Sequence, residues 1–439
     1  MAHPAHNPVQ LRRAVVSSFI GTVIEYYDFL LYATASAVVF NKVFFSDLDP
    51  LVGTVASFGT LATGYLARPL GGILFGHFGD RVGRKKMLMV TMSLMGVASV
   101  LIGLLPTYAQ IGALAPILLV VLRIAQGVAV GGEWGGGVLM SAEHATSRRG
   151  LWASFTNAGG PAGMVVSTLV LAAATAISGE EQFLVWGWRI PFLLSAVLLV
   201  VGLFIRARVD ETPVFREAAA SAKGSRPPLV EVLRNHPRSL ALSVGVGFGS
   251  FVAQSTLTTL VISYAVGVGF TRQTVLNALT FSSVVAVIGV IGYSALSDRV
   301  GRKPVVLAGA IGTGIWAFVL FPLVDSGSTL LLWVAVVVGQ GVLHAALHGP
   351  LAALYAELFA TRARYTGASL GYQIAGTGAG LAPVTFAAVL SGSASTTPVS
   401  LIIAACCLLS VVCIMVLGET SGGDLRDAGE TTPSRATAG

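Results

Sequence analysis

The sequence predicts an all-α membrane protein of twelve transmembrane helices, arranged as two pseudo-symmetric six-helix bundles. The chain of 439 residues is 54% hydrophobic and only 11% charged, and its mean hydropathy is +0.79. About a quarter of the residues in soluble domains are charged. Apolar runs long enough to cross the roughly 30 Å of membrane hydrocarbon recur from end to end. A charged motif that follows the second run is repeated after the eighth.

The apolar runs are predicted to be helices because they lack the apolar–polar alternation of barrel strands. The predicted spans are residues 14–40, 51–78, 87–105, 111–142, 151–177, 189–207, 237–268, 275–297, 304–324, 329–358, 365–391 and 398–417. They divide the chain into an N-terminal bundle (1–208), a cytoplasmic linker (209–236), a C-terminal bundle (237–418) and a disordered tail (419–439). The first run is too long for a signal peptide, so it is predicted to remain as the first span.

The distribution of basic residues predicts the orientation. With the N-terminus in the cytoplasm, all but five of the 27 Lys and Arg residues fall in cytoplasmic segments. Lys42, Arg189 and Arg272 face the opposite side, and Arg68 and Arg123 lie inside spans. Basic residues accumulate on the cytoplasmic side of membrane proteins. Both termini are therefore predicted to be cytoplasmic, in a bacterial inner membrane.

Other features of the composition exclude several function classes. The net charge of +7 is spread over short loops without interleaved aromatic residues, so no nucleic-acid partner is expected. Cys406, Cys407 and Cys413 lie in the last span and are interpreted as packing residues. Zinc-ligand spacings and the phosphate-binding motif G-x-x-x-x-G-K-[ST] do not occur. We therefore expect no metal, no cofactor and no ATP-driven step.

Two loops carry nearly the same motif, which indicates an internal repeat. Residues 79–85 read GDRVGRK after span two, and residues 297–303 read SDRVGRK after span eight. Each fourth span of a bundle also ends with an acid, Glu143 or Glu357, five residues before an arginine. Two homologous bundles follow from this repetition.

The repeated D-R-x-G-R-K loop resembles the signature loop of the major facilitator superfamily. Further motifs are similar to its metabolite:proton symporter family, with the shikimate-transporter-like members closest. These motifs are EYYDF at 25–29, RPLGG at 68–72, GHFGDR at 76–81, GGEWGG at 131–136, WGWRIPF at 186–192 and DETP at 210–213. The resemblance implies a six-plus-six fold that carries a small metabolite together with a proton. We also expect the chain to function as a monomer in the lipid bilayer.

Charged residues inside spans are the candidate proton-coupling residues, because each costs at least about 2.5 kcal/mol at mid-bilayer unless paired or hydrated. Glu25 and Asp28 share one face of span one, and Arg123 and Glu133 lie on related faces of span four. The run 123–127 resembles the fourth-helix motif of the superfamily, whose arginine is associated with proton coupling. A substrate carboxylate that competes for this cation would let a neighbouring acid take a proton. The alternative is an ion pair that only holds helices together.

A second set of residues is predicted to bind substrate. Arg68 lies too deep in span two to reach the surface, so it is a candidate for gripping an anion, with a structural salt bridge as the alternative. His344 and His348 lie four apart on one face of span ten, where they could bind substrate, relay a proton or only hydrogen bond a neighbour. The predicted substrate-binding residues are Tyr26, Arg68, Arg123, Gln126, Trp134, Gln254, His344, His348, Tyr372 and Gln373.

The repeated loops are predicted to form a gate on the cytoplasmic side. Asp80 is expected to cap the third span, where the helix dipole favours an anion, while Arg81 or Arg84 reaches Glu143. The corresponding gating residues of the second half are Asp298, Arg302 and Glu357. Breaking these contacts would favour an inward-open state. The alternative, that the charges only set topology, explains the basic residues but not the acids.

The resemblance, together with the two arginines inside spans, implies a proton-coupled symporter that imports a small organic acid, such as shikimate or a related carboxylate, by alternating access. The alternatives within transport are a symporter for a zwitterionic osmolyte of the proline/betaine type and a proton-independent exchanger. A non-transporting membrane sensor is the alternative from another class, although the terminal segments are short for a signalling domain. An enzyme is not expected, since H-E-x-x-H is missing and the G-x-S-x-G match at 367–371 lies inside span eleven.

Overall fold

The computed structural model describes residues 8–212, 214–216, 227–391 and 395–422. Within these ranges every predicted span is helical, with ends that differ from the predicted ones by a few residues. The helices that correspond to the twelve predicted spans are α1 (Pro8–Ala35), α2 (Pro50–Val82), α3 (Arg84–Leu104), α4 (Leu114–His144), α5 (Arg149–Ser178), α6 (Arg189–Ala207), α7 (Pro237–Val268), α8 (Arg272–Val300), α9 (Arg302–Asp325), α10 (Thr329–Glu357), α11 (Arg364–Ser391) and α12 (Thr397–Val416).

Eleven of these helices are long and apolar enough to cross a membrane by length and composition. The twelfth, α2, is not among those eleven and has 33 residues. Large apolar side chains cover the outside of the molecule, with Ile177 75% and Leu330 72% exposed. Such a surface suits contact with lipid tails, which are themselves apolar.

The helices of each half pack mainly on one another, and the halves meet mainly through two helix pairs. In the first half α1 packs on α5, α2 on α4 and α3 on α6. In the second half α7 packs on α11 and α12, and α9 packs on α12. Across the interface α2 packs on α11, and α5 packs on α8.

The two signature motifs are helix ends and not loops, which corrects the predicted loop boundaries. Helix α2 runs to Val82 and α3 begins at Arg84, so only Gly83 separates them. Gly301 separates α8 from α9 in the same way. Their φ angles are +121° and +98°, a region that residues with a side chain rarely adopt. The glycine of the motif therefore permits the abrupt turn, and the charges around it are held on helices.

Candidate functional site

A cavity lies within the first half of the molecule, and it brings together five of the predicted site residues. They are Glu25 and Asp28 of α1, Arg68 of α2, and Arg123 and Gln126 of α4. None of the five side chains is more than 7% exposed. A Cβ atom added at Gly64 of α2 would lie 2.6 Å from Arg123 Nε, so this glycine makes room for the guanidinium.

The two acids of α1 differ in their surroundings. Asp28 accepts hydrogen bonds from Ser99 Oγ at 2.5 Å and Ser195 Oγ at 2.7 Å, one on each oxygen. Glu25 Oε2 is buried without a hydrogen-bond partner. A buried acceptor without a donor costs free energy. Glu25 is therefore the acid that is open to a proton or a ligand, and Asp28 is already satisfied by α3 and α6.

The two arginines lie over aromatic rings, and neither forms an ion pair among the residues that the structure describes. The guanidinium carbon of Arg68 is 4.4 Å from the centre of the Tyr65 ring, and that of Arg123 is 4.1 Å from the Tyr32 ring. Arg123 also donates a hydrogen bond to Gln126 Oε1 at 3.1 Å. Cation–π contacts compensate only part of the cost of burying a guanidinium. Both side chains therefore retain capacity for an anion.

The fourth predicted proton-coupling residue, Glu133, lies outside this cavity wall and pairs with an arginine that the sequence prediction assigned to topology. Its carboxylate forms a buried ion pair with Arg206 of α6. Glu133 also accepts a hydrogen bond from Thr91 Oγ at 2.8 Å. The acid–arginine contact in this region is therefore Glu133 with Arg206, between α4 and α6, and not a contact of an acid with Arg123.

The two histidines of α10 face one serine of α7. Ser250 Oγ lies 3.2 Å from His344 Nε2 and 3.0 Å from His348 Nδ1, and the imidazole rings are stacked with centroids 5.2 Å apart. Both histidines are buried. They form a local polar cluster inside the second half, apart from the cavity that holds the four charges.

Most of the remaining predicted substrate residues lie where the two halves touch. Trp134 of α4 is stacked on Tyr372 of α11, with centroids 3.5 Å apart and ring planes 7° from parallel. Gln373 donates a hydrogen bond to the carbonyl oxygen of Gly131 at 3.3 Å. Tyr26 of α1 lies beside Tyr372 and beside Gln254, the fifth residue of this group. These side chains close the space between the bundles in this conformation.

A further contact between the halves runs through Asn157 of α5. Trp134 Nε1 donates to Asn157 Oδ1 at 2.8 Å, and Asn157 Nδ2 donates to the carbonyl oxygen of His348 at 2.8 Å. This bridge links α4, α5 and α10. This bridge was not predicted, because an asparagine inside a small-residue run has no distinctive pattern.

The ends of the helices that carry the signature motifs are closed by a network of charges, and we call this face the loop side. Of the two arginines predicted to reach Glu143, Arg84 contacts it at 3.1 Å and Arg81 is exposed. The same carboxylate binds Arg364 of the second half at 3.2 Å. The prediction that Asp80 caps the third span is wrong. Asp80 instead accepts hydrogen bonds from the backbone at the start of α11.

The second signature motif repeats this arrangement. Arg302 contacts Glu357 at 3.1 Å and Asp298 at 2.7 Å. Asp298 accepts hydrogen bonds from the backbone N–H groups of Gly150 and Leu151, both at 2.8 Å. These two residues begin α5 in the first half. Each signature aspartate therefore caps a helix of the opposite bundle, where the positive end of the helix dipole favours an anion.

Two further acids cap the helices that the sequence analysis had assigned to Asp80 and its counterpart. Glu211 accepts a hydrogen bond from the backbone N–H of Lys85 at 3.2 Å, and Glu419 accepts one from that of Arg302 at 2.9 Å. Thr420 donates to Glu357 at 2.6 Å. Residues 419–422 of the predicted disordered tail are therefore ordered by these contacts, and 423–439 lie outside the described residues.

Comparisons with known proteins agree with this architecture. A family model described as Major Facilitator Superfamily matches residues 18–295, more than half of the chain. The chain belongs to the major facilitator superfamily. A second model, described as Sugar (and other) transporter, matches residues 258–430 of this transporter. The family membership predicted from the motifs is confirmed.

Relatives extend the match over nearly the whole chain. The transporter is 38% identical over 426 residues to the inner membrane metabolite transport protein YhjE of Escherichia coli K12, covering 94% of the chain and 96% of that protein. It is 36% identical over 416 residues to the shikimate transporter of the same strain, covering 93% and 95%. The proline/betaine transporter of Salmonella typhimurium is 33% identical over 403 residues, with 88% and 79% covered.

A solved structure shares the fold. The proton:xylose symporter XylE bound to 6-bromo-6-deoxy-D-glucose superposes with a TM-score of 0.76 at 18% identity, covering 97% of this chain and 99% of that one. The predicted fold class is therefore confirmed. The family and the relatives are transporters and not enzymes, so this protein is a metabolite transporter that crosses the inner membrane many times.

Proposed function

We propose that the protein is a proton-coupled symporter that imports a small organic acid, such as shikimate or a related carboxylate, by alternating access. It acts as a monomer with both termini in the cytoplasm, which makes the loop side the cytoplasmic side. The observation that carries this proposal is the pair of buried arginines, Arg68 and Arg123, which share one cavity with Glu25.

The arginines suit a carboxylate for reasons of charge and geometry. A guanidinium presents parallel N–H groups that match the two oxygens of a carboxylate. Arg68 and Arg123 reach the cavity from α2 and α4, with the Phe29 ring beside both guanidiniums at 5.3 and 5.6 Å from their carbons. An anion between them would receive charge-assisted hydrogen bonds in a place with little water, where such bonds are strong.

Charge balance couples this anion to a proton. The cavity holds two carboxylates and two guanidiniums, so it is neutral when both acids are ionised. A bound monocarboxylate adds a negative charge to a desolvated space, which is unfavourable unless a proton enters with it. Glu25 is the acceptor, because its Oε2 atom has no other partner. One proton carried with one monoanion leaves the total charge unchanged.

The contacts between the halves support alternating access. The charge network of the loop side and the Trp134–Tyr372 stack hold this side closed. Release of substrate to the cytoplasm requires that these contacts separate, by movement of one bundle against the other. The repeated motif gives the two bundles equivalent parts of the gate.

The second candidate is a symporter for a zwitterionic osmolyte. It is favoured by the 33% identity to the proline/betaine transporter of Salmonella typhimurium, and by the aromatic rings of the cavity. A quaternary ammonium can pack on aromatic rings such as Phe29 while Glu25 balances its charge. A proton-independent exchanger is the remaining alternative within the same fold.

Uptake into liposomes distinguishes these functions. Purified protein is reconstituted and offered radiolabelled shikimate, a panel of other monocarboxylates, and glycine betaine, under either an inward proton gradient or a potassium diffusion potential. We expect uptake of a monocarboxylate to be driven by the proton gradient and to be unaffected by the potential. A zwitterion carried with a proton would respond to the potential as well as to the proton gradient, because one net positive charge moves, and an exchanger would respond to neither.

The controls separate the cavity from general damage to the protein. Glu181→Gln and Arg272→Gln alter exposed charges outside the cavity and should transport like the wild type. Arg68→Gln should lose uptake. Folded wild-type protein that accumulates neither acids nor zwitterions would contradict the proposal.

A further inference from the structure

The buried ion pair between Glu133 and Arg206 lies between the cavity and the loop side. Both residues lie against Gly21 of α1, where an added Cβ atom would collide with the Arg206 guanidinium and with Glu133 Oε1. Glu25 follows Gly21 by four residues, which is one helical turn or about 6 Å along α1. Arg206 is the penultimate residue of α6, at the loop side. A path from Glu25 to the loop side therefore passes this pair.

Two buried atoms in this region lack partners and are chemically complementary. Arg206 Nε carries an N–H group without an acceptor, and Glu25 Oε2 is a carboxyl oxygen without a donor. The charges of Glu133 and Arg206 both act on Glu25. Unsatisfied polar atoms are rare in protein interiors. Their presence on neighbouring side chains suggests a second arrangement in which they pair.

We infer that the Glu133–Arg206 pair is the proton exit relay of the transporter. This inference rests on the proposed function, in which Glu25 takes up the proton with the substrate. When substrate leaves, the Glu25 carboxyl O–H bond breaks and its proton bonds to the Glu133 carboxylate. Arg206 then turns from Glu133, now neutral, to the Glu25 carboxylate. One carboxylate and one guanidinium remain paired throughout, so no isolated charge is created in the interior.

The gate controls the last step, the release of the proton from Glu133. Tyr365 of α11 covers this region, and its hydroxyl donates to the carbonyl oxygen of Gly132 at 2.7 Å. The backbone N–H of the same tyrosine is hydrogen bonded to Asp80. Separation of the halves on the loop side therefore withdraws Tyr365 and opens the neighbourhood of Glu133 to cytoplasmic water. The titratable or charged groups facing Glu133 are Glu25 from α1, Arg206 from α6 and Tyr365 from α11, and Thr91 of α3 adds a hydroxyl.

The relay and a merely structural ion pair predict different outcomes for a neutral replacement. The double variant Glu133→Gln/Arg206→Gln removes both charges and leaves two amides that can hydrogen bond. Two rates are compared in liposomes for radiolabelled shikimate, or for the monocarboxylate that the wild type accumulates. One is net uptake driven by the proton gradient, and the other is exchange against internal substrate, which needs no net proton release.

If the pair is a relay, net uptake falls about tenfold or more, as for loss of an acid–base group. The substrate-induced acidification of the liposome interior, reported by enclosed pyranine, falls by the same factor, while exchange stays within about twofold of the wild-type rate. The conservative variant Glu133→Asp keeps a proton acceptor and should retain most of the net uptake. Equal net uptake by the double variant and the wild type overturns the relay. Failure of the proposed function can be distinguished from failure of the relay, because the wild type itself would then show no gradient-driven uptake.

If the double variant does not fold, a second pair of variants tests the inference. Gly21→Ala pushes the ion pair away from α1, whereas Gly59→Ala meets nothing within 4 Å and serves as its control. The ratio of net uptake to exchange should fall in Gly21→Ala alone. An equal ratio in these two variants overturns the inference.

Discussion

Asp80 of α2 accepts a hydrogen bond from the backbone N–H of Thr366, 2.9 Å away at the start of α11 in the opposite half of the molecule. Its counterpart Asp298 binds the start of α5 in the first half at 2.8 Å. Because each aspartate is also close to an arginine of its own motif, one side chain joins the charge network within a bundle to the helix across the interface. The closed loop side is thereby held twice, by equivalent contacts.

We predict that Asp80→Asn shifts the conformational equilibrium toward opening of the loop side. The amide keeps one acceptor but loses the charge that interacts with the helix terminus, which is worth about 1 kcal/mol, or about fivefold in the equilibrium. Spin labels at Lys86 and Arg362, two exposed positions, report the separation in a background with the three cysteines replaced by alanine. Longer distances are expected. Asp210→Asn, an exposed change on the same side, should leave the distances as in the wild type.

The double variant Asp80→Asn/Asp298→Asn should shift the equilibrium by about the sum of the two free energies, because the aspartates share no partner. The same pair of labels measures this. The open population of the double variant should then exceed that of either single variant by about fivefold. A double variant no more open than Asp80→Asn would show that only one of the two caps holds the gate.

The parts of this architecture that follow from local sequence were predictable. Span-length apolar runs predict helices because lipid leaves the backbone no other way to satisfy its hydrogen bonds. The repeated motif also predicted the contacts of Arg84 and Arg302 with Glu143 and Glu357, because these charges lie at adjacent helix ends within one bundle. Repetition of Glu-Thr at 211–212 and 419–420 was a usable signal for the two helix caps, and it was missed.

The contacts that depend on how the halves meet were not predictable. Asp80 and the backbone it binds are 285 and 286 residues apart in the chain, so nothing local distinguishes that cap from the nearer one at α3. Arg206 was missed for a different reason. A basic residue at the cytoplasmic end of a span looks like a topological charge, and only packing against α4 reveals its partner Glu133.

We predict that Glu25→Gln abolishes accumulation driven by the proton gradient but spares exchange, because an amide cannot carry the proton. Asp28→Asn is expected to act mainly on stability, since an amide NH₂ cannot accept the serine hydroxyl bonds of Asp28. Uptake, exchange and thermal unfolding of both variants are compared with Glu181→Gln. Gradient-driven accumulation by Glu25→Gln at the wild-type rate would remove Glu25 from the proposed role.

Substitution of Arg123 should weaken substrate binding. Arg123→Gln removes one or two charge-assisted hydrogen bonds to a carboxylate, each worth about 1.5–3 kcal/mol, so the dissociation constant should rise about tenfold or more. Titration calorimetry with the transported acid measures this, and Arg272→Gln at an exposed site is the control. An unchanged dissociation constant would make Arg123 a structural residue.

We predict that Glu419, which lies outside the membrane-spanning helices, makes the stability of the loop side depend on pH. Burial alone would raise the pKa of Glu419, but hydrogen bonds from the backbone N–H groups of Arg302, Ser421 and Lys303 outweigh it and lower this pKa below the ordinary value of 4.5. An acid with a lowered pKa stabilises the folded state at pH values above its ordinary pKa. That contribution is lost as the pH falls through the lowered value.

Glu419→Gln should therefore reduce the melting temperature at neutral pH, by about 2 °C or less for a partly exposed cap in a chain of this size. The difference from the wild type should disappear below the lowered pKa, where the wild-type side chain is also uncharged. Melting curves of both proteins in detergent across this range test the prediction, with Glu181→Gln as the exposed control. A difference that persists in acid would mean that Glu419 stabilises α9 through packing and not through its charge.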